Sequence, residues 1–257
     1  SKSITIIYGG KNNTLNMKKL PIQLIILPGW GGSHKTWGKF IEKAGQSFAD
    51  VLVIDLPCFG NEPCPSDVWG VEEYAEFARK KIETLEKKHT RIILGHSFGG
   101  QVATVMIGKD STICDKLVLS GAAVFRIKRP VKKIIFGTLA KVGKVCMKLP
   151  ILNTLEPLAK KILYKAAQSP DYSKTSGVQR DIFRKVLATD VSDFLPNIDN
   201  KTLVLWGEKD GYVPLKYGKK INEALPNSSL VIIPNGTHGL HRTSINEMIK
   251  QLSLFLS

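Results

Sequence analysis

Seven short apolar runs, at residues 4–8, 22–27, 51–54, 91–94, 116–119, 202–206 and 230–233, decide what this chain can fold into. They are rich in Val, Ile and Leu, too short for helices, and show no clean alternation. That is the pattern of strands buried on both faces of a parallel sheet. Helical segments separate them. Residues 71–88 carry Tyr74, Phe77, Ala78, Ile82 and Leu85 at helical spacing with charges opposite, and residues 99–107, 215–225 and 244–256 read similarly. Strand and helix alternate, which predicts an α/β fold: a mostly parallel twisted sheet with helices on both faces and right-handed crossovers. The rhythm breaks once. About eighty residues separate the strand ending near Ser120 from the one starting at Thr202, and they include helical stretches at 131–148 and 181–187. The expected organisation is a core at residues 1–121 and 199–257, with a helical cap at 122–198 inserted between two core strands.

Apolar residues make up 43% of the 257, enough for a sizeable core and too many for a disordered chain. The formal charge of +15 is concentrated: residues 126–165 hold eleven Lys or Arg against one acid, Glu156. Such a segment attracts an acidic surface. The basic amphipathic pattern at Lys132, Lys133, Lys141, Lys144 and Lys148 suits an anionic membrane or an acidic acyl carrier. The charge accompanies no nucleic-acid module, so no nucleic-acid partner is expected. No apolar run is long enough to span a bilayer and no secretory leader pattern is present. Cys58, Cys64, Cys114 and Cys146 form neither a CxxC nor a metal-ligand spacing; reduced thiols in a cytoplasmic protein are the expectation.

The chemistry centres on Gly95-His96-Ser97-Phe98-Gly99, placed between the run at 91–94 and a helical segment. The spacing alone is common. The strand-turn-helix setting is what a nucleophile elbow requires, with small neighbours that let strand and helix approach. Such a turn aims the helix N-terminus and the Phe98 N–H at a developing oxyanion. A serine hydroxyl needs a base, and the base an orienting acid. Asp210 lies on the turn after the run at 202–206, and His238 follows the run at 230–233. All three would then stand at the carboxyl ends of strands, where open α/β sheets place their sites. Glu208 and Asp193 are the alternatives to Asp210, and His241 the alternative to His238. His96 reads as structural, His34 and His89 as loop and helix-end residues.

Residues 29–36 also approach the phosphate-binding pattern G-x-x-x-x-G-K-[ST], with residues 51–55 as a strand ending in an acid for magnesium. His34 stands where that loop requires Gly, and a nucleotide-binding reading leaves Ser97, Asp210 and His238 unexplained. A hydrolase-like fold that only binds ligands is a further alternative.

On these residues the chain resembles an α/β-hydrolase-fold enzyme over essentially its whole length. Leu27-Pro28-Gly29-Trp30-Gly31 and Asp55-Leu56-Pro57-Cys58-Phe59-Gly60 match further family positions, with Pro28 in place of the usual His and Cys58 in place of a usual Gly. The resemblance implies Ser97 as nucleophile, His238 as base, Asp210 as orienting acid, and the Trp30 N–H as second oxyanion donor beside that of Phe98. It implies neither metal nor organic cofactor, and a cap over the site. Within the family the chain is similar to small carboxylesterases, including those acting on pimeloyl-carrier-protein methyl esters. The expected reaction is hydrolysis of carboxylic esters of short or medium acyl chains through an acyl-enzyme, because Ile134, Ile135, Phe136 and Leu139 suggest an apolar acyl pocket. Thioester, lipid and carbon–carbon bond hydrolysis use the same groups and stay open.

Overall fold

The computed structural model describes residues 4–6, 19–126 and 175–256. Seven strands cross it: β1 (Ile4–Ile6), β2 (Leu20–Leu27), β3 (Phe48–Val53), β4 (Thr90–His96), β5 (Lys116–Ser120), β6 (Lys201–Gly207) and β7 (Ser228–Ile233). They form one sheet in the order β1-β7-β6-β5-β4-β2-β3. Each of the seven apolar runs contributes one strand. All pairings are parallel, where a mostly parallel sheet was expected.

The runs lack alternation because both faces are covered. Along β2, Ile22, Leu24 and Ile26 enter one core with Trp37, Phe40, Met248 and Leu252. Ile25 and Leu27 enter the other with Tyr74, Val102, Ile182 and Ile221. The first face carries α1 (His34–Ala44), the short α6 (Leu240–Thr243) and α7 (Ile245–Leu256). The second carries α2 (Val71–Glu83), α3 (Phe98–Lys109), α4 (Gly177–Ala188) and α5 (Leu215–Ala224). Every residue of α3 from Phe98 to Ile107 is buried, the polar Gln101 and Thr104 included, so this helix is enclosed all round rather than amphipathic.

Helix α1 was not expected, and His34, read as a loop residue, is its first residue. Its buried Trp37, Phe40 and Ala44 follow helical spacing, while Gly38 and four charged positions dilute the pattern. The Ser33 N–H donates to Thr36 Oγ1 at 2.9 Å and closes the helix start.

A second correction concerns the cysteines. Cys58 and Cys64 form a disulfide, so the expectation of reduced thiols fails for these two. The loop turns back on itself, with the Cys58 N–H donating to the Pro63 carbonyl, which brings together residues whose spacing gives no such signal. Cys114 is free and buried, and burial pushes its thiol up to about 12.

The expected cap is only partly within view. Its first residues, Ala122 and Val124, and its last, Val191, Leu195 and Ile198, are buried in the core. The Arg126 N–H donates to Asp190 Oδ2 at 2.8 Å, joining the two ends of the excursion. Residues 127–174, including the basic stretch at 131–148 and the apolar Ile134, Ile135, Phe136 and Leu139, lie outside the described residues. No described helix is long and apolar enough to cross a membrane.

The strand order also fixes where a site can form. From β2 the chain moves outward to β3, then returns across β2 to β4 and continues toward β7. The loops leaving β2 and β4 therefore diverge, opening a crevice at the carboxyl end of the sheet.

Candidate active site

Ser97 sits at that crevice, between the last residue of β4 and the first of α3, with φ 53° and ψ −115°. This is a strained conformation for a residue with a side chain, and it persists because its surroundings over-determine it. The Ser97 N–H donates to the Ser120 carbonyl at 3.1 Å, and its carbonyl accepts from Gly100 and Ala123 at 3.0 Å each. The turn also needs close approach. A Cβ on Gly99 would stand 2.0 Å from the Leu27 carbonyl oxygen and 2.4 Å from that of Pro28. Gly99→Ala should therefore destabilise the fold by about 3 kcal/mol or more, because backbone rather than a mobile side chain must give way. A chemical-denaturation midpoint equal to the parent's would contradict this.

Asp210 and His238 meet above the ends of β6 and β7. The loops are tied by Glu208 N–H to Ile233, Lys209 N–H to Gly236 and Asn235 N–H to the Glu208 carboxylate. Asp210 Oδ2 accepts from His238 Nδ1 at 2.7 Å, and its Oδ1 accepts from the Tyr212 and Val213 N–H groups at 2.8 and 2.9 Å. The Asp210 side chain is 1% exposed, so its charge is buried with donors on both oxygens. A carboxylate only accepts; Nδ1 of a neutral His238 therefore carries the proton and Nε2 keeps its lone pair. His238 is exposed enough to reach a substrate, at 16%. Glu208 is occupied with Asn235, and Asp193 is exposed on a 3₁₀ turn, so neither takes the place of Asp210.

No hydrogen bond joins Ser97 to His238 among the described residues, although both line one cleft of about 790 Å³. Such links are often longer before substrate binds. Residues 29–32 form the opposite wall, and the Trp30 ring is wedged against Phe59, Phe98 and Phe183 at 4.9, 5.5 and 4.6 Å. Neither the Trp30 nor the Phe98 N–H donates to a protein acceptor among the described residues. Among the described residues no group of three or more His, Cys, Asp or Glu is arranged to hold a metal ion.

Two rings from other segments lie beside His238, a placement that no local pattern signals. Tyr212 stacks on it at 5.1 Å and His96 lies 4.8 Å away. His241 stacks on Trp37 at 3.9 Å and 8°, 4.9 Å from His96. Among the described residues it has no carboxylate partner, whereas His238 has Asp210. His96 Nδ1 meets the Ser120 carbonyl at 2.9 Å. Burial first, then neighbouring positive charge, holds His96 well below the usual histidine range and brings His241 down to about 3.

Both rings are therefore neutral when folded yet take up a proton when unfolded. Their contribution to stability is complete above about pH 6.5 and is lost as pH falls toward the folded value, by up to about 1.4 kcal/mol per pH unit for each ring. Melting temperature should thus drop between pH 6.5 and 5, before carboxylates matter. His241→Phe keeps the stack on Trp37 and should flatten that slope; an unchanged slope would show that His241 does not titrate.

The phosphate-loop alternative fails on its own residues. Asp55, its candidate magnesium ligand, accepts from the His34 N–H at 2.7 Å, pairs with the His34 ring at 2.5 Å and accepts from Asn61 at 3.1 Å. Burial alone would raise the Asp55 carboxyl; these bonds outweigh it and hold the group below its ordinary value. The Thr36 hydroxyl is likewise engaged, with the Ser33 N–H and carbonyl.

Comparison with known proteins follows this geometry. The chain is 25% identical over 254 residues to a pimeloyl-[acyl-carrier protein] methyl ester esterase of Vibrio vulnificus, covering 90% of this chain and 93% of that protein. It is 24% identical over 228 residues to the hydrolase YugF of Bacillus subtilis, covering 84% and 82%. Among solved structures, an esterase from Exiguobacterium antarcticum superposes with a TM-score of 0.68 at 19% identity, covering 93% of both chains. That likeness shows the shared fold. The model of the alpha/beta hydrolase family matches residues 24–247, from the middle of β2 into α7, and the chain belongs to that family.

Proposed function

We propose that this hydrolase cleaves carboxylic esters of short or medium acyl chains, with Ser97 as nucleophile, His238 as general base and acid, and Asp210 as the group that orients His238. The observation that carries this reading is the hydrogen bond from His238 to the buried Asp210 carboxylate, with His238 and a strained serine lining one cleft. His238 Nε2 takes the Ser97 hydroxyl proton as Oγ bonds to the ester carbonyl carbon. The carbonyl oxygen becomes an oxyanion between the Trp30 and Phe98 N–H groups, each worth about 3 kcal/mol by analogy with other oxyanion holes. The carbon–oxygen bond then breaks, and His238 returns the proton to the departing alcohol. Water repeats the sequence on the acyl-enzyme and releases the acid.

Two findings favour an acyl-carrier-linked ester among the substrates. Relatives are named for esters of that kind, and residues 126–165 carry the charge that an acidic carrier would meet. Hydrolysis of p-nitrophenyl esters from acetate to decanoate tests the reaction and sizes the acyl site. Turnover with an optimum at short or medium length is expected; wild type inert on every length would overturn the reading.

A further inference from the structure

The proposed reaction uses Ser97, His238 and two amides, but the cleft extends beyond them. Lys209, on the turn after β6, and Arg242, in α6, line it, while among the described residues no Asp or Glu does. Two carboxylates flank Lys209 in sequence: Asp210, buried behind His238 with hydrogen bonds on both oxygens, and Glu208, which accepts from the Asn235 N–H. Neither cation forms an ion pair among the described residues. In a chain of net charge +15 that alone would decide little. A second observation comes from the same cleft: His241, 7% exposed, contributes to the lining, and its buried Nδ1 has no hydrogen-bond partner. Buried polar groups are rarely left unsatisfied, so this wall of the cleft departs from ordinary packing. The Arg242 charge also reaches inward, since after burial it is among the causes that keep His241 and His96 neutral.

We infer that this cleft selects esters bearing an anionic group, carboxylate or phosphate, which Arg242 and Lys209 hold while the ester carbonyl lies at Ser97. The inference rests on the hydrolase reading and narrows its substrate class. Arg242 can grip two oxygens of such a group at once, and Lys209 adds a mobile point charge. With no acid among the described residues that line the cleft, a neutral ester leaves both cations unused and an anionic one meets no repulsion from these walls.

The test compares kcat/KM within matched pairs. On the acyl side, p-nitrophenyl hydrogen glutarate and p-nitrophenyl 4-phosphonobutyrate are set against p-nitrophenyl butyrate, which separates carboxylate from phosphate. On the alcohol side, 4-carboxyphenyl butyrate is set against phenyl butyrate. A preference of about tenfold for at least one charged member is expected, weakening with added salt. It should fall to near parity in the Lys209→Ala/Arg242→Ala double variant. Neutral esters preferred on both sides, or a preference that survives the double substitution, would overturn the inference while leaving the hydrolase reading intact. If wild type turns over no ester, the hydrolase reading is what fails. Anion binding is then read directly by titrating glutarate and inorganic phosphate against the fluorescence of Trp30 and Trp37, both in the cleft lining. A salt-sensitive change absent from the double variant would sustain the anion site, and no change in wild type would remove it.

Discussion

Replacing Ser97 by Ala should lower kcat on p-nitrophenyl butyrate by about 10⁴-fold or more, with folding unaffected. In the proposed reaction the Ser97 hydroxyl oxygen is the atom that bonds to the acyl carbon, and no neighbour can take over its place. The elbow is built from backbone hydrogen bonds and close contacts that do not involve the hydroxyl: Ser97 to Ser120, Gly100 and Ala123, and Gly99 against Leu27. The variant therefore keeps the strained turn and both free amides, and should still bind substrate. Any residual rate would come from those amides and from positioning. Comparing thermal melts with single-turnover kinetics separates the outcomes. A variant that melts like the parent and still releases nitrophenolate at the parent's rate would place the nucleophile elsewhere.

The second large effect is expected from Asp210→Asn, a loss of about 10⁴-fold in kcat near neutral pH. Asp210 accepts three hydrogen bonds, two from the backbone of Tyr212 and Val213 and one from His238. An amide has one acceptor oxygen and one donor nitrogen. If the oxygen keeps the two backbone donors, the NH₂ faces His238 Nδ1 and favours the tautomer whose proton sits on Nε2. That tautomer cannot accept the Ser97 proton. The change is nearly isosteric, so it should alter the rate far more than the melting temperature. Full activity in a folded Asp210→Asn protein would show that His238 is oriented by something else, and the Tyr212 ring stacked on it would be the next group to test.

Much of this arrangement was legible in the chain because its signals are local. A strand buried on both faces must be apolar throughout, so β2 and β4 to β7 stand out as runs. The elbow requires Gly, Ser and Gly at fixed offsets between strand and helix, and it too can be read in place. Asp210 and His238 were legible at one remove, since each follows a strand end and the sheet is parallel. Helix α1 was missed because its apolar stripe of Trp37, Phe40 and Ala44 is interrupted by charges and by Gly38, next to a stretch that imitates a phosphate loop. The Cys58–Cys64 disulfide was missed because it depends on how one loop folds back, which spacing does not reveal.

By itself the sequence determined the α/β class, the seven strands, the elbow and the three residue types that a serine hydrolase needs, because each rests on periodicity or on a turn a few residues long. Only the tertiary structure decided the strand order, the pairing of Asp210 with His238, and the Tyr212, His96, His241 and Trp37 surroundings. It alone also brought Lys209 and Arg242 to the wall of one cleft. Those are pairings between residues far apart in the chain. They are set by which loops the sheet brings to one end and by which buried polar groups find partners there, and no local pattern encodes either.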